Sequence, residues 1–416
     1  MAVASKLGID RQTLEPAQSS AAPASGRNRS LDALRGLVMV LMALDHVRDF
    51  VHHDAALYSP TNLSRASSVL FLTRWVTHFC LPVFMFCAGV GARLWLANGR
   101  SIPQLSRFLF TRGLWLMLLE VTVMRLAYNF SFSLNYLWLL IILWGFGVCM
   151  VAFAGLVWLP MRWILCLSVI GILASNCLDF VPPPANGLRL WIWTVFRQPG
   201  FVKIGHTAFV APYPLIPWLL VMSAGYCFGT LMARPRPELR RLSACLGLAM
   251  CAAFVFLRLW NHYGDPAPWT RMPSALFTVL SFLNCTKYPG SLDFVLMTLG
   301  PALLLFSLLC RFDLRSRNPL VAFGRVPLFY FILHFYLIHL IAVVIDFVRY
   351  GRAALAFTFM PLPTMGGEAG LFPASYGLPL WGVYLVWLFV LVFLYPVCLW
   401  YGNVKSQRRG GWLQYL

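Results

Sequence analysis

Charged side chains are scarce in this sequence. They make up 11% of its 416 residues, against 60% hydrophobic ones, whereas soluble domains carry about a quarter. A water-soluble globule with so little polar surface would leave large apolar patches exposed. Acidic residues are scarcer still, 14 against 33 Lys and Arg. The resulting net charge of +19 is not gathered into any soluble domain, which excludes a nucleic-acid partner. The 11 cysteines form no CxxC pair and no His/Cys group at metal spacing, so no metal site is expected. Most of them (Cys80, Cys87, Cys149, Cys166, Cys227, Cys251, Cys310, Cys398) sit in apolar runs and read as small packing residues. No phosphate-binding glycine loop is present, since Gly366-Gly367-Glu368-Ala369-Gly370 does not open a helix after a strand and reads as a flexible outer loop. No secretory signal is present either, because the first apolar stretch follows Arg35 and has no small-residue cleavage site.

Long apolar runs are what the sequence has in quantity. A mean hydropathy of +0.72 makes the bilayer its solvent. The expected fold is all-α, a polytopic membrane helical bundle of about ten transmembrane helices. They are placed at Leu34 to Val51, Trp75 to Ala97, Phe108 to Phe130, Leu134 to Leu156, Trp163 to Phe180, Tyr213 to Met232, Leu242 to Trp260, Leu292 to Leu309, Leu320 to Phe347 and Leu380 to Tyr401. Ser274 to Phe282 is apolar but too short to span, so an interfacial or re-entrant piece is expected there. Residues 1–29 read as a disordered cytoplasmic tail, 30–404 as the membrane domain and 405–416 as a short cytoplasmic tail. With the N-terminus in the cytoplasm, most Lys and Arg fall on that side (among them Arg93, Arg100, Arg107, Arg240, Arg241, Arg315 and Arg317). Asp54, Asp179, Asp265 and Asp346 fall on the other. The positive-inside rule then puts both termini in the cytoplasm.

The first span breaks the composition rule. It holds Asp32, Arg35, Asp45, His46, Arg48 and Asp49 around a short uncharged stretch, and ionisable groups inside a membrane are costly enough to be functional suspects. Arg35 and His46 are eleven residues apart, which returns to nearly the same helix face about 16 Å further along the axis. Asp32, Met39, Met42, Asp49 and His53 lie close to that stripe. Asp49, one turn beyond His46, is placed to accept its ring N–H and to raise its basicity, as a general base requires. Asp45, Arg48 and Asp49 could equally form an interfacial cluster that His46 merely satisfies.

The stretch Arg29-Ser30-Leu31-Asp32-Ala33-Leu34-Arg35-Gly36-Leu37 followed by His46 resembles the opening of the transmembrane acyltransferase superfamily, where an Arg, ten residues and a His mark the first helix. Within it the chain is similar to bacterial relatives of heparan-alpha-glucosaminide N-acetyltransferase. The likeness extends through Leu72-Thr73-Arg74-Trp75-Val76-Thr77-His78-Phe79-Cys80-Leu81-Pro82-Val83-Phe84, Ser281-Phe282-Leu283-Asn284-Cys285-Thr286-Lys287-Tyr288-Pro289 and Phe323-Gly324-Arg325-Val326-Pro327-Leu328-Phe329-Tyr330-Phe331-Ile332-Leu333-His334. The resemblance implies an integral protein of the bacterial cytoplasmic (inner) membrane that moves an acyl group from cytosolic acyl-CoA to a sugar or other acceptor on the far face. Acyl-CoA would be a co-substrate, with no tightly bound cofactor, and the acceptor a glycan or a lipid-linked group. It also implies that Arg35, with Asp32, binds the donor and that His46 is catalytic. One departure limits this. The lysosomal heparan enzymes carry a catalytic histidine in a His-Ala-Ser-Trp-Asn-Gly stretch before the second helix, where this chain has Ser64-Arg65-Ala66-Ser67-Ser68-Val69. Heparan glucosamine is therefore not carried over as substrate, and either His46 or His78 could take that role.

Other candidates follow from depth and spacing. His78 begins the second span on its outer side, at a depth similar to His46, so the two could meet, or His78 could bond backbone freed by Pro82. His334 is near mid-membrane and is a further catalytic candidate. His339, five residues on, cannot share its face, and it pairs by spacing with Asp346 in an outer polar patch. Glu120 lies well inside the third span and needs Arg125 or a neighbouring helix as partner. Asn284, Lys287 and Tyr288 follow the short apolar piece on the outer side and would suit sugar hydroxyls or an anionic head group of the acceptor. A transporter or flippase using the charged helix as a pathway is the alternative function, although no inverted repeat of the transporter kind is evident.

Overall fold

The computed structural model describes residues 28–407 apart from 56, 131–136, 186, 205–206, 358–371 and 374. The expected tails fall outside the described residues, except that Asn28 and Arg29 open the first helix and residues 405–407 close the last. The first residues of the expected span Leu134 to Leu156, and the stretch from Gly366 to Gly370, also lie outside them.

Helix α1 (Arg29–Val51) starts at Asn28, whose side chain accepts the Leu31 amide at 3.0 Å, a cap that satisfies one of the free N–H groups of the first turn. The second expected span is two helices, α2 (Ser68–Thr77) and α3 (Cys80–Ala97), broken at His78 and Phe79. The third is α4 (Ile102–Leu119), a π-turn over Glu120–Met124 and α5 (Arg125–Asn129). Helices α6 (Ile142–Leu156), α7 (Met161–Ala174), α9 (Leu215–Phe228), α10 (Arg236–Trp260) and α12 (Leu292–Leu309) occupy five more of the expected spans. The ninth expected span is again two pieces, α13 (Pro319–Arg325) and α14 (Pro327–Tyr350), parted at Val326, where Pro327 has no amide to continue the ladder. Helix α15 (Leu380–Gln407) ends the fold.

Seven of the expected spans coincide with helices long and apolar enough to cross a membrane. The remaining three do not meet that description, for visible reasons. Helix α1 is charged, α4 carries Arg107 and Arg112 and gives way to the π-turn, and α6 has only 15 residues. The short apolar piece expected around Ser274 to Phe282 is α11 (Ala275–Leu283), capped by Ser274. The sequence reading missed α8 (Gly187–Phe196) and a small sheet of β1 (Trp138–Leu139), β2 (Gly200–Ile204) and β3 (Thr207–Ala211). The central β3 pairs parallel with β1 and antiparallel with β2.

Helix α1 is the hub. It packs against α2, α3, α12, α13, α14 and α15, and almost its whole length from Leu31 to Val51 is buried. That placement explains how a charged helix is tolerated, since its polar groups face other helices rather than lipid. The closest approach is to α13. A Cβ on Gly36 would lie 1.7 Å from the Leu320 carbonyl oxygen, and one on Gly324 would lie 1.7 Å from the Asp32 carbonyl oxygen. Only glycine permits this backbone contact, the small-residue packing that membrane helices use in place of a hydrophobic drive.

Of the two partners expected for Glu120, Arg125 or a neighbouring helix, the structure supplies the helix. It is fully buried in the π-turn, and its carboxylate accepts the Tyr128 hydroxyl at 2.9 Å and the amides of Leu143 at 2.8 Å and Trp144 at 3.3 Å. It therefore caps the N-terminus of α6, where a negative charge meets free N–H groups and the positive helix end. Arg125 instead lies over the Trp138 ring, 3.7 Å from its centroid.

Gly36→Ala and Gly324→Ala should each cost about 3 kcal/mol by overpacking. Gly155→Ala, whose Cβ would meet nothing within 4 Å, should be close to neutral. Thermal unfolding of the three variants in one detergent checks this, and equal melting temperatures would remove the α1–α13 contact as the keystone of the fold.

Candidate active site

The end of α1 that holds Asp45 to Asp49 is a network of buried charges. Asp45 accepts Thr77 Oγ1 at 2.8 Å and is paired with Arg74 of α2, while Arg48 Nη2 lies 2.8 Å from Asp45 and 2.6 Å from Asp49. One aspartate thus ties α1 to α2, and one guanidinium bridges two carboxylates. Asp49 is turned to Arg48, and no hydrogen bond joins it to His46 among the described residues, so the expected Asp49–His46 contact is not made. Arg48 is 3% exposed, and its second terminal nitrogen, Nη1, has no hydrogen-bond partner among the described residues.

His46 finds its partner on α14 instead. Its Nδ1 is 2.7 Å from Nε2 of His334, and Nδ1 of His334 is 3.0 Å from the carbonyl oxygen of Tyr330. A carbonyl can only accept, so His334 carries its proton on Nδ1, and in a neutral pair its Nε2 accepts from His46 Nδ1–H. His46 is thereby held as the Nδ1–H tautomer, with the lone pair of Nε2 left for chemistry. The rings of Phe335 (4.0 Å between centroids) and Phe331 (6.4 Å, edge-on) pack against His46, and Tyr330 stacks on His334 at 5.2 Å. Both histidines are buried.

The same stripe of α1 lines a cavity of about 300 Å³ toward the helix start. Arg35, Met39 and Met42 form one wall, as the eleven-residue periodicity requires, and α3, α4, α6 and α14 supply the rest, including Arg112, Leu143 and Phe331. Arg35 is steadied by a hydrogen bond to the Cys87 carbonyl at 2.8 Å and by Asp32 at 3.7 Å. The cavity is apolar except where the two guanidinium groups enter. His46 is not part of its wall. Phe331 belongs to both, lining the cavity while its ring lies 6.4 Å from that of His46 and 5.6 Å from that of His334.

Residues 27–258, from the start of α1 to the end of α10, match the family described as heparan-alpha-glucosaminide N-acetyltransferase, catalytic. The chain belongs to this family. No curated protein matches it. Membership of this acetyltransferase family and the seven long apolar helices make it a multi-pass membrane protein of acyltransferase kind.

Within this family member the matched region holds Asp32, Arg35, His46, Asp49 and His78, whereas His334, Asn284, Lys287 and Tyr288 lie beyond it. His78 is 2% exposed at the break between α2 and α3, with its ring against Phe294 at 5.3 Å and no hydrogen bond at Nδ1 among the described residues. Among the described residues no hydrogen bond or ring contact joins it to His46, but its neighbour Thr77 reaches Asp45, the residue before His46. Asn284 fixes its loop, donating to the Thr61 carbonyl at 3.1 Å while its own carbonyl takes a bond from the buried Arg258. Lys287 lies over the Tyr288 ring at 5.2 Å, and the Tyr288 hydroxyl meets that of Tyr213 at 3.2 Å. Lys287 and Tyr288 lie side by side, and Asn284 fixes the loop before them. His339 is held apart, with Nδ1 2.7 Å from the Ala127 carbonyl and its ring stacked on Phe130 at 3.9 Å.

Sequence reasoning did not single out Arg74, Tyr213 or Phe331, although Arg74 and Phe331 lie within the quoted motifs and Phe331 is one turn before His334. It also placed no metal site. Among the described residues, the ligand atoms of His52, His53 and Asp54 lie within 4.8 Å of one another and could hold an ion. Each is already engaged: His52 Nδ1 accepts the Asp54 amide, His53 Nδ1 lies 2.7 Å from Asp54, and Tyr58 donates to Asp54 at 2.6 Å. Burial, then the charge of His53, holds His52 down at about 4.

Removing one partner of a buried ion pair strands the other, at a cost of about 3–5 kcal/mol. Asp45→Leu should therefore lower the melting temperature sharply. The double variant Asp45→Leu with Arg74→Met should recover much of the loss, because Arg48 keeps Asp49. A double variant less stable than the single would contradict the pairing.

Proposed function

We propose that this protein transfers an acyl group from acyl-CoA to an acceptor on the opposite face of the membrane, with His46 as general base. The carrying observation is the chain Tyr330 C=O, His334, His46, which leaves His46 Nε2 unprotonated, and Phe331 packs on that imidazole while lining a cavity entered by two guanidinium groups. In this reading Arg35 and Arg112 hold donor phosphates, since guanidinium binds them bidentately and keeps its charge. The roughly 16 Å from Arg35 to His46 along α1 suits an extended pantetheine arm, which would run past Met39 and Met42 with its thioester toward His46. In this reading the Arg35 end faces the cytoplasm of a bacterium and the protein sits in the inner membrane.

The acceptor, a sugar or lipid-linked group, would enter from the Lys287 and Tyr288 side. Its hydroxyl or amine gives a proton to His46 Nε2 as the oxygen or nitrogen attacks the thioester carbonyl. The C–S bond then breaks, and the departing thiolate takes that proton from the imidazolium to leave as CoA. His334 acts through His46, fixing its tautomer and sharing the positive charge as it forms. The cluster of Asp45, Arg48, Asp49 and Arg74 anchors this end of α1 so that Nε2 keeps its aim. The transporter reading draws no support from the family or the fold.

The test mixes the detergent-purified protein with radiolabelled acetyl-CoA and membrane extract as acceptor. Wild type should release CoA, and His46→Ala should lose it by at least 10²-fold while still binding CoA. His334→Gln, which keeps a hydrogen-bond acceptor but not the fixed geometry, should fall between them. Wild type that turns over no acyl-CoA of any chain length would end the enzyme reading.

A further inference from the structure

Phe331 occupies an unusual place between two parts of the site. Its ring forms part of the wall of the cavity that takes Arg35, Met42 and Leu143, and it packs within 6.4 Å of the His46 ring and 5.6 Å of the His334 ring. It is 3% exposed and braced from behind by Phe335, at 5.3 Å between centroids. The cavity is about 300 Å³, at the small end for a ligand site. A pantetheine arm reaching from Arg35 would consume most of it.

A thioester carbonyl within reach of His46 must therefore lie at the Phe331 edge, and whatever follows the carbonyl carbon has to share the last of the cavity with that ring. Resting on the acyl-CoA reading above, we infer that Phe331 is the residue that limits the length of the acyl chain. It admits a two-carbon group and rejects longer ones by occupying the space their methylenes would fill. A well-packed protein wall does not give way by a methylene at no cost, and one methylene too many in an apolar pocket commonly costs about 10-fold or more in specificity. Met42 and Leu143 share the wall, and Phe331 is the wall residue whose ring also packs on the imidazole pair, so it joins chain selection to the reacting nitrogen.

The experiment compares wild type, Phe331→Leu, Phe331→Ala and Phe331→Trp for CoA release from acetyl-, butyryl- and hexanoyl-CoA, with membrane extract as acceptor. CoA binding is followed for each by thermal shift. The ratio of hexanoyl to acetyl turnover should rise at least tenfold in Phe331→Ala, rise less in Phe331→Leu, and in Phe331→Trp butyryl turnover should fall more than acetyl. A uniform loss of rate with the ratios unchanged would give Phe331 a packing role only and overturn the inference, with the enzyme reading intact. If Phe331→Ala no longer folds, the Leu and Trp variants decide by the same ratios. Absence of turnover by wild type with all three donors would overturn the enzyme reading itself, and this inference with it.

Discussion

A helix that carries three aspartates, three arginines and a histidine can lie in the middle of an apolar bundle only if the helices around it answer its charges. Helix α1 does so at both ends. Asp32 pairs with Arg35 near the start, and near the other end Asp45 is shared by Arg48, Arg74 and Thr77. Since the desolvation cost of each charge is offset only by well-placed partners, α2 must lie where Arg74 reaches Asp45. Helix α13 must lie close enough that no side chain fits at Gly36 or Gly324. The arrangement of the bundle around α1 follows from these demands, and it leaves one face of α1 free to carry chemistry.

That face has a direction. Arg35 at one end binds anions by its chemistry, Met39 and Met42 form an adaptable apolar wall, and His46 at the other end is oriented through His334 by a backbone carbonyl. The order of cation, apolar track and base along one helical stripe matches the order of phosphate, pantetheine and thioester along acyl-CoA. Helix α14 lines the track with Phe331 and supplies His334 one turn later, so in the proposed reading a single turn of α14 both bounds the donor and orients the base.

The stripe was legible in the sequence because it depends only on helical periodicity: Arg35, Met39, Met42 and His46 fall on one face of any straight helix. The partner of His46 was not. Asp49 had the right spacing on the same helix, but it is drawn to the guanidinium next to it, and the imidazole turns to a residue 288 positions away. Glu120 was recognised as a group needing a partner, but besides the Tyr128 hydroxyl its partners are backbone amides of α6, which have no sequence signature. The breaks at His78 and Val326 fell inside apolar runs long enough to be single spans, and the small sheet of β1, β2 and β3 is too short for alternation to announce it. What hydrophobic periodicity cannot convey is which helix answers which charge.

The most direct measurement is an experimental structure of the protein with a ketone analogue of acetyl-CoA that cannot lose its acyl group. The account predicts the pantetheine arm lying along Met39 and Met42, phosphates at Arg35 and Arg112, and the ketone carbonyl beside His46 Nε2 at the edge of Phe331. An analogue seated elsewhere in the bundle, or one whose carbonyl is out of reach of His46, would contradict it.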